Sequence, residues 1–300
     1  MIGPRPTQVI ACMSDQEHID HILNSWPYEP STLSVRIRKG HDGRDVLQMR
    51  LDLGLLQLET SGRPDGTRPG GKNTYLDFLL DMEAKYVPEE DVPEPEIEEL
   101  EVADEVIPGP TGEFEPDDDE EEDEEFEELD GFMMSEEQCR EADREFVQYY
   151  HRRLCWLAMR EFTQAMHDAD HTLRLMDFCR DHSPDDEWTM SHEQYRPFVL
   201  FHRTQAAALA ELESGKGAEA SVEAINGGLE AIKVVFTEHE AEDEFETDEL
   251  VSRLVEMREG LRKQFDVGDT LEEKLREAVA NERYELAAKL RDELAQRKGH

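Results

Sequence analysis

Arg160 to Leu173, REFTQAMHDADHTL, is the stretch from which the fold can be read. Phe162, Ala165, Met166, Ala169 and Leu173, continued by Met176, recur at three- and four-residue intervals, so one face of a helix is apolar and the rest polar. Upstream, from Ser135, the residues Phe146, Tyr149, Tyr150, Leu154 and Leu157 give the same period, and HSPDD at 182–186 stops the second helix. A second pair follows, with Phe198, Phe201, Ala206, Leu209 and Leu212 on one helix and Ala218, Val222, Ala224, Ile225, Leu229 and Ile232 on its partner. Advanced by 55 residues, Leu154, Leu157, Ala165 and Ala169 fall on Leu209, Leu212, Ala220 and Ala224, the signature of a duplicated helix-turn-helix unit.

Beyond the pairs, a helix is expected from Phe245 to Phe265, and then two short amphipathic patterns meet at a polar break. Leu271, Leu275, Ala278 and Val279 precede it; Tyr284, Ala287, Ala288, Leu290 and Leu294 follow it. Thr270 with Glu273 forms a capping box, and Asn281 to Arg283 is long enough only for a tight connection, so residues 269–300 read as an antiparallel helical hairpin. Pieces shorter than about 40 residues rarely bury their own apolar surface without help, so this hairpin is expected to dock on something.

Toward the amino end the period changes. Ser14 and Glu17 suggest a capping box for a short helix stopping before Trp26. Leu33, Val35 and Ile37 then alternate with polar residues, HDGRD turns the chain, and Leu47, Met49, Leu51 and Leu53 alternate again. A hairpin with one buried face is expected. The alternation slips at Gly54, so a bulge, a curl or a third strand begins there. SGRPDGTRPGGKNT at 61–74 has no apolar residue and is expected on the surface, and Tyr75, Phe78, Leu79, Met82 and Tyr86 form a helical face that can cover the sheet.

Between these units, residues 89–130 hold 24 Asp and Glu and no Lys or Arg, more than half of the net charge of -42. Like charges this dense repel and leave few apolar groups to offset chain entropy, so 88–131 is expected to be a disordered acidic linker; a lure for a basic partner or a nucleic-acid mimic is the alternative. The fold class is therefore α+β multidomain: a small α+β domain at 1–87, the linker at 88–131, a helical-repeat domain at 132–268 and the hairpin at 269–300.

Two resemblances bear on this. The small residues at the helix crossings and the register of REFTQAMHDADHTL resemble tetratricopeptide repeats, although the consensus Gly and Pro positions are largely missing; the resemblance implies a short solenoid with a peptide-binding groove. Ala278, Glu282, Tyr284, Glu285, Ala287, Ala288, Leu290, Arg291 and Asp292, ending in ERYELAAKLRD, resemble the UVR domain, a helical hairpin of the B and C subunits of the bacterial UvrABC excinuclease, of some Clp-type ATPases and of an activator of protein arginine kinase. That resemblance implies a protein-protein module that pairs with another UVR-type hairpin or self-associates. It points to Leu271, Leu275, Val279, Tyr284, Ala287, Ala288, Arg291 and Leu294 as the partner-binding residues.

Chemistry is not indicated. Gly66, Gly71 and Lys72 match the first part of a phosphate-binding loop, but Asn73 stands where a Ser or Thr would hold magnesium and Pro69 removes an N–H. His167 and His171 have the spacing of paired metal ligands without a third, and neither HExxH, Gly-x-Ser-x-Gly nor a dinucleotide-binding glycine run occurs. Cys12, Cys139, Cys155 and Cys179 form no Cys-x-x-Cys, so neither zinc nor a disulfide framework is expected. Arg36, Arg38, Lys39 and Arg44 sit in one short segment, which is no footprint for nucleic acid. No secretory signal or membrane span is read, which fits a cytoplasmic location. The expectation is a non-catalytic adaptor or scaffold without a cofactor. The alternatives are an accessory factor of nucleotide excision repair or a regulator of an arginine kinase or Clp-type system, the activators of that kinase carrying Cys-x-x-Cys pairs that this chain lacks.

Overall fold

The computed structural model describes residues 18–86, 131–215 and 217–298. The Ser14–Glu17 cap, Cys12 and the acidic linker to Asp130 lie outside the described residues. The first described helix, α1 (Asp20–Ser25), starts after Ile19, whose side chain makes no cap, and gives way at Trp26. Three strands follow, β1 (Val35–Lys39), β2 (Asp45–Leu51) and β3 (Gly54–Glu59), paired antiparallel in that order. Leu51 pairs with Gly54, so Asp52 and Leu53 alone make the second turn. That turn explains the slip in alternation: with Leu47 opposite Leu58 and Met49 opposite Leu56, odd positions on β2 share a face with even positions on β3.

The sheet shares its core with the helices. Leu47, Met49 and Leu58 pack with Cys155 and Trp156 of α3 (Glu136–Ala158), Phe162 and Ala165 of α4 (Phe162–His182), and Ala206 of a later helix. These contacts run between residues of the stretch 1–87 and residues of the stretch 132–268. The polar face of β2 is also covered. Gln48 accepts from Arg36 Nε at 2.9 Å and donates to Gln57 at 3.0 Å, and Arg50 donates to the Trp26 carbonyl at 2.8 Å. The Arg36 guanidinium lies 3.9 Å over the Trp26 ring. The expectation of one buried face therefore fails, because Trp26 and its neighbours close over the second one.

The loop at 61–74 also departs from its expected surface course, since Arg63 and Pro64 are buried in it. Burying a guanidinium is costly unless its donors are paired, and here Nη1 and Nη2 are hydrogen-bonded while Nε has only an ion-pair neighbour. Arg63 donates to Thr67 Oγ1 at 3.2 Å and to Glu141 Oε2 at 2.9 Å, and its Nε lies 3.3 Å from Glu145 Oε2. The next helix, α2 (Tyr75–Glu83), lays Tyr75, Leu76 and Leu79 against Met134, Cys139, Ala142 and Phe146, so it covers α3 and its neighbours rather than the sheet.

Glu145 of α3 organises this corner. It is 0% exposed, accepts from the Tyr75 and Leu76 amides at 2.7 and 3.2 Å, and lies 2.8 Å from His171 Nε2. The N–H groups that a phosphate would need after the Gly66–Lys72 loop are thus already held by an internal carboxylate. Lys72 is likewise paired, 2.7 Å from Asp81.

The helices continue as α5 (Asp186–Glu193), α6 (Arg196–Glu213), α7 (Ala218–Glu238), α8 (Glu242–Phe245) and α9 (Glu249–Phe265). Packing runs α3 on α4, α4 on α6, α6 on α7 and α7 on α9. The first helices of the two pairs end at Ala158 and Glu213, one 55-residue repeat apart. Sequence reading has no α5, and it joins α8 to α9; Asp248, which caps α9 by accepting from the Leu250 and Val251 amides, separates them. The α6–α7 crossing is very close: Ser221 Oγ donates to the Ala208 carbonyl at 2.6 Å, and a Cβ on Gly228 would lie 1.9 Å from Thr204 Oγ1.

Two outcomes are expected. Glu145→Ala leaves Arg63 without its buried partner and two N–H groups orphaned, costing about 3–5 kcal/mol in urea unfolding. Gly228→Ala overpacks the crossing by about 1–3 kcal/mol, and adding Thr204→Ala recovers part of that loss in a double-mutant cycle.

Candidate functional site

The carboxyl end folds as two helices, α10 (Leu271–Ala280) and α11 (Tyr284–Lys298). Thr270 Oγ1 accepts from the Glu273 amide at 3.2 Å while Glu273 Oε2 accepts from the Thr270 amide at 2.8 Å, the reciprocal capping box. The connection closes with two bonds, Glu282 N–H to the Val279 carbonyl at 3.0 Å and Arg283 N–H to the Ala278 carbonyl at 2.7 Å, with Glu282 left-handed at φ 56°. This is the helix-ending motif that usually recruits glycine, built here on a glutamate. Leu271, Ala278, Ala287 and Leu290 are buried together, with Leu275 and Leu294 packed beside them.

This packing divides the eight residues expected to bind a partner. Leu271 and Ala287 are buried in the cluster between the helices. Leu275 and Leu294 are half-buried at its edge. Val279 is 53% and Tyr284 68% exposed, and Ala288 and Arg291 are open too. Tyr284, Ala288 and Arg291 recur at i, i+4 and i+7, forming a stripe next to the buried one. Leu286, 43% exposed and four residues before Leu290, is not among the residues expected from the sequence.

The hairpin meets the helical body through polar groups. Asn226 of α7 donates to Glu273 Oε1 at 3.0 Å and accepts from Arg258 of α9 at 3.1 Å; Arg262 of α9 also pairs with Glu273. Arg276 lies 3.6 Å from Glu230 of α7. Beside this bridge runs a groove of about 580 Å³, floored by Gly227, Leu275, Leu294 and Ala295. Two carboxylates at this joint, one on α10 and one on α7, have opposite surroundings. Burial pushes Glu273 up, but the Thr270 amide, Asn226 and Arg262 outweigh it and hold the carboxyl below its ordinary value. Across the groove, burial and then the hydrogen bond and charge of Glu272 push Glu223 of α7 up to about 7.

Elsewhere the titratable side chains serve structure. His171 is turned inward, stacked on Tyr149 at 3.8 Å, whereas His167 stays exposed, so the i,i+4 pair does not converge. No group of three or more His, Cys, Asp and Glu that could hold a metal occurs among the described residues. Burial pushes the Cys155 thiol up to about 12 and raises Cys139 and Cys179 as well, which removes thiolate reactivity. Among the described residues, no helix is long and apolar enough to cross a membrane.

Residues 269–297 match the family model described as UVR, the UvrB/uvrC motif. No curated protein and no solved structure matches the chain. The motif falls on α10, its turn and nearly all of α11, so the carboxyl-terminal hairpin is a UVR motif. Thr270→Ala removes one half of the capping box and is expected to destabilise α10 by about 1 kcal/mol, read as faster hydrogen exchange at the Leu271–Ala280 amides with the exchange of α3 and α4 unchanged.

Proposed function

We propose that this chain is a non-catalytic adaptor that recruits a protein partner through the exposed face of its UVR hairpin. The partner carries a hairpin of the same kind, in a second copy of this chain or in a protein of the UvrABC type, and neither nucleic acid nor membrane contributes directly. The observation that carries this reading is Tyr284, a large amphipathic ring left 68% exposed on a module of barely thirty residues where Val279 and Leu286 are open as well. Tyr is among the side chains that most often anchor protein interfaces, because it buries much area with few rotatable bonds. The hairpin, with seven acidic and seven basic residues over 270–300, is neutral in a strongly acidic chain. Apolar contact between two such modules is therefore not opposed by net repulsion.

Sedimentation velocity of the full chain, alone and mixed with purified UvrB or UvrC subunits, tests the reading. Association is expected in at least one of these samples. Tyr284→Asp should weaken it by about thirtyfold or more, the about 2 kcal/mol of an interface anchor, with the circular dichroism spectrum unchanged. Monomer in every sample, or association indifferent to Tyr284→Asp, overturns it.

A further inference from the structure

The joint between the hairpin and the body carries a groove with an apolar floor and one unmet acceptor on its wall. On α7, Glu223, Gly227 and Glu230 recur at i, i+4 and i+7 and form one side of it, while Leu275 of α10 and Leu294 and Ala295 of α11 form the floor. Ala295 and Gly227 are exposed, and both leucines are half-buried. The close α6–α7 crossing accounts for Gly228, but nothing lies within 4 Å of the position a Cβ on Gly227 would take. Glycine is among the least favourable residues in mid-helix, and no contact within the chain calls for it at 227. What it supplies there is room in the groove.

The acceptor is Glu223 Oε1, which is buried and has no hydrogen-bond donor among the described residues. Glu273, at the same joint, shows what it lacks: that carboxyl takes the Thr270 amide, Asn226 and Arg262. The two guanidiniums that line the groove are paired elsewhere, Arg276 with Glu230 at 3.6 Å and Arg291 with Asp292 at 3.0 Å. With Glu223, Glu230 and Glu272 against these two arginines, the lining is negative. An anionic or wholly apolar occupant would shut Oε1 away from water without a donor, and a buried acceptor left unmet is costly. A cation supplies the donor. Burial and then Glu272 push the Glu223 carboxyl up to about 7, and a cation placed against it acts in the opposite sense.

We propose that the groove is a docking site for a lysine or arginine side chain of a protein partner: the alkyl stem lies on Gly227, Leu275, Leu294 and Ala295, and the charged head donates to Glu223 Oε1. Lys and Arg divide in this way wherever an apolar surface adjoins a polar group. At about 580 Å³ the groove also admits an apolar neighbour from the same partner segment, the manner in which an amphipathic helix fills a groove. The site goes beyond the pairing of UVR hairpins, because α7 of the body builds one of its walls. Arg291 belongs both to the groove and to the Tyr284 stripe, so the two surfaces are continuous along α11.

The probe is hexylguanidinium, which reproduces an arginine head on an alkyl stem, and the control is its neutral isostere hexylurea. Each is titrated into the full chain at about pH 8, where most of a carboxyl at about 7 is ionised, with the methyl resonances of Leu275 and Leu294 read by NMR. Saturable shifts at both leucines are expected with hexylguanidinium, and binding at least about tenfold weaker with hexylurea. Glu223→Gln should weaken hexylguanidinium by about tenfold or more. Glu238→Gln, which removes the same charge from the far end of α7, should change it by less than about twofold. Gly227→Leu places a better helix former in the groove and should abolish the shifts with the helical circular dichroism signal kept. Absence of shifts at the two leucines, equal binding of hexylurea, or parental affinity in Glu223→Gln overturns the site. Shifts that follow protein concentration without the probe give the groove to a second copy of this chain and overturn it too. No UVR partner is present in these samples, so a negative result leaves the reading of the Tyr284 face standing, and a failure of association there leaves this site standing.

Discussion

One buried carboxylate, Glu145, determines how the amino-terminal residues lie on the helices. It takes two amides from the start of α2 and the imidazole of His171 on α4, with the guanidinium of Arg63 in the 61–74 loop as an ion-pair neighbour, so four groups from three segments converge on two oxygens. A fully buried charge is tolerated only when every lone pair is used. That condition gives the corner its definition: moving any one segment strands the others' polar groups in a dry place. Arg152 does the same on the far side of the loop. Its guanidinium holds Asp168 of α4 through Nε and Nη2 and the carbonyls of Glu59 and Gly62 through Nη1. Sheet and helices are thus fastened at two points by charge and sealed between them by Leu47, Met49 and Leu58.

The hairpin is attached differently. Glu273 resembles Glu145 in serving a helix cap and a tertiary bridge at once, but it sits at the edge and its partners reach it across a groove. Among the described residues, the apolar clusters of the hairpin and of the body are separate. Polar contacts that remain close to water contribute about 0.5–1.5 kcal/mol each, against the larger return from burying whole side chains. A module fastened in this way separates from the body at far lower cost than α2 or the sheet does. The difference follows from where the leucines lie: α10 and α11 spend theirs on each other.

How far the sequence discloses this depends on whether a feature is local. The 3.6 period, the Thr270–Glu273 box, the Asn281–Arg283 break and the 55-residue repeat are local, and each is visible in the string. The burial of Gln48, Arg50, Arg63 and Glu145 is not, because it is decided by segments far away in the chain that return to cover them. Nothing marks Glu145 among 74 acidic residues. Helix ends were obscured for another reason. Arg160, Glu240, Asp266 and Glu282 take left-handed φ values of 54–62° at the ends of α3, α7, α9 and α10, where the usual signal is glycine. Charged residues at those corners look like solvated surface. On the hairpin, periodicity located the apolar set but could not separate the inner stripe of Leu271 and Ala287 from the outer one of Tyr284 and Ala288, which lie about one residue further round the helix.

The distribution of charge gives those two stripes different meanings. More than half of the net negative charge is gathered in residues 89–130, which leaves the hairpin neutral and its outer stripe free of long-range repulsion toward a similar module. The groove side differs, because Glu223 and Glu272 both line it, and burial together with the charge of Glu272 pushes the Glu223 carboxyl up there. An interior designed only for stability would place a carboxylate against an arginine, as Arg152 and Asp168 are placed. The groove with Gly227 on its wall and the polar bridge of Asn226, Arg262 and Glu273 thus meet at one joint, whose contacts are polar while the leucines of α10 and α11 pack on each other.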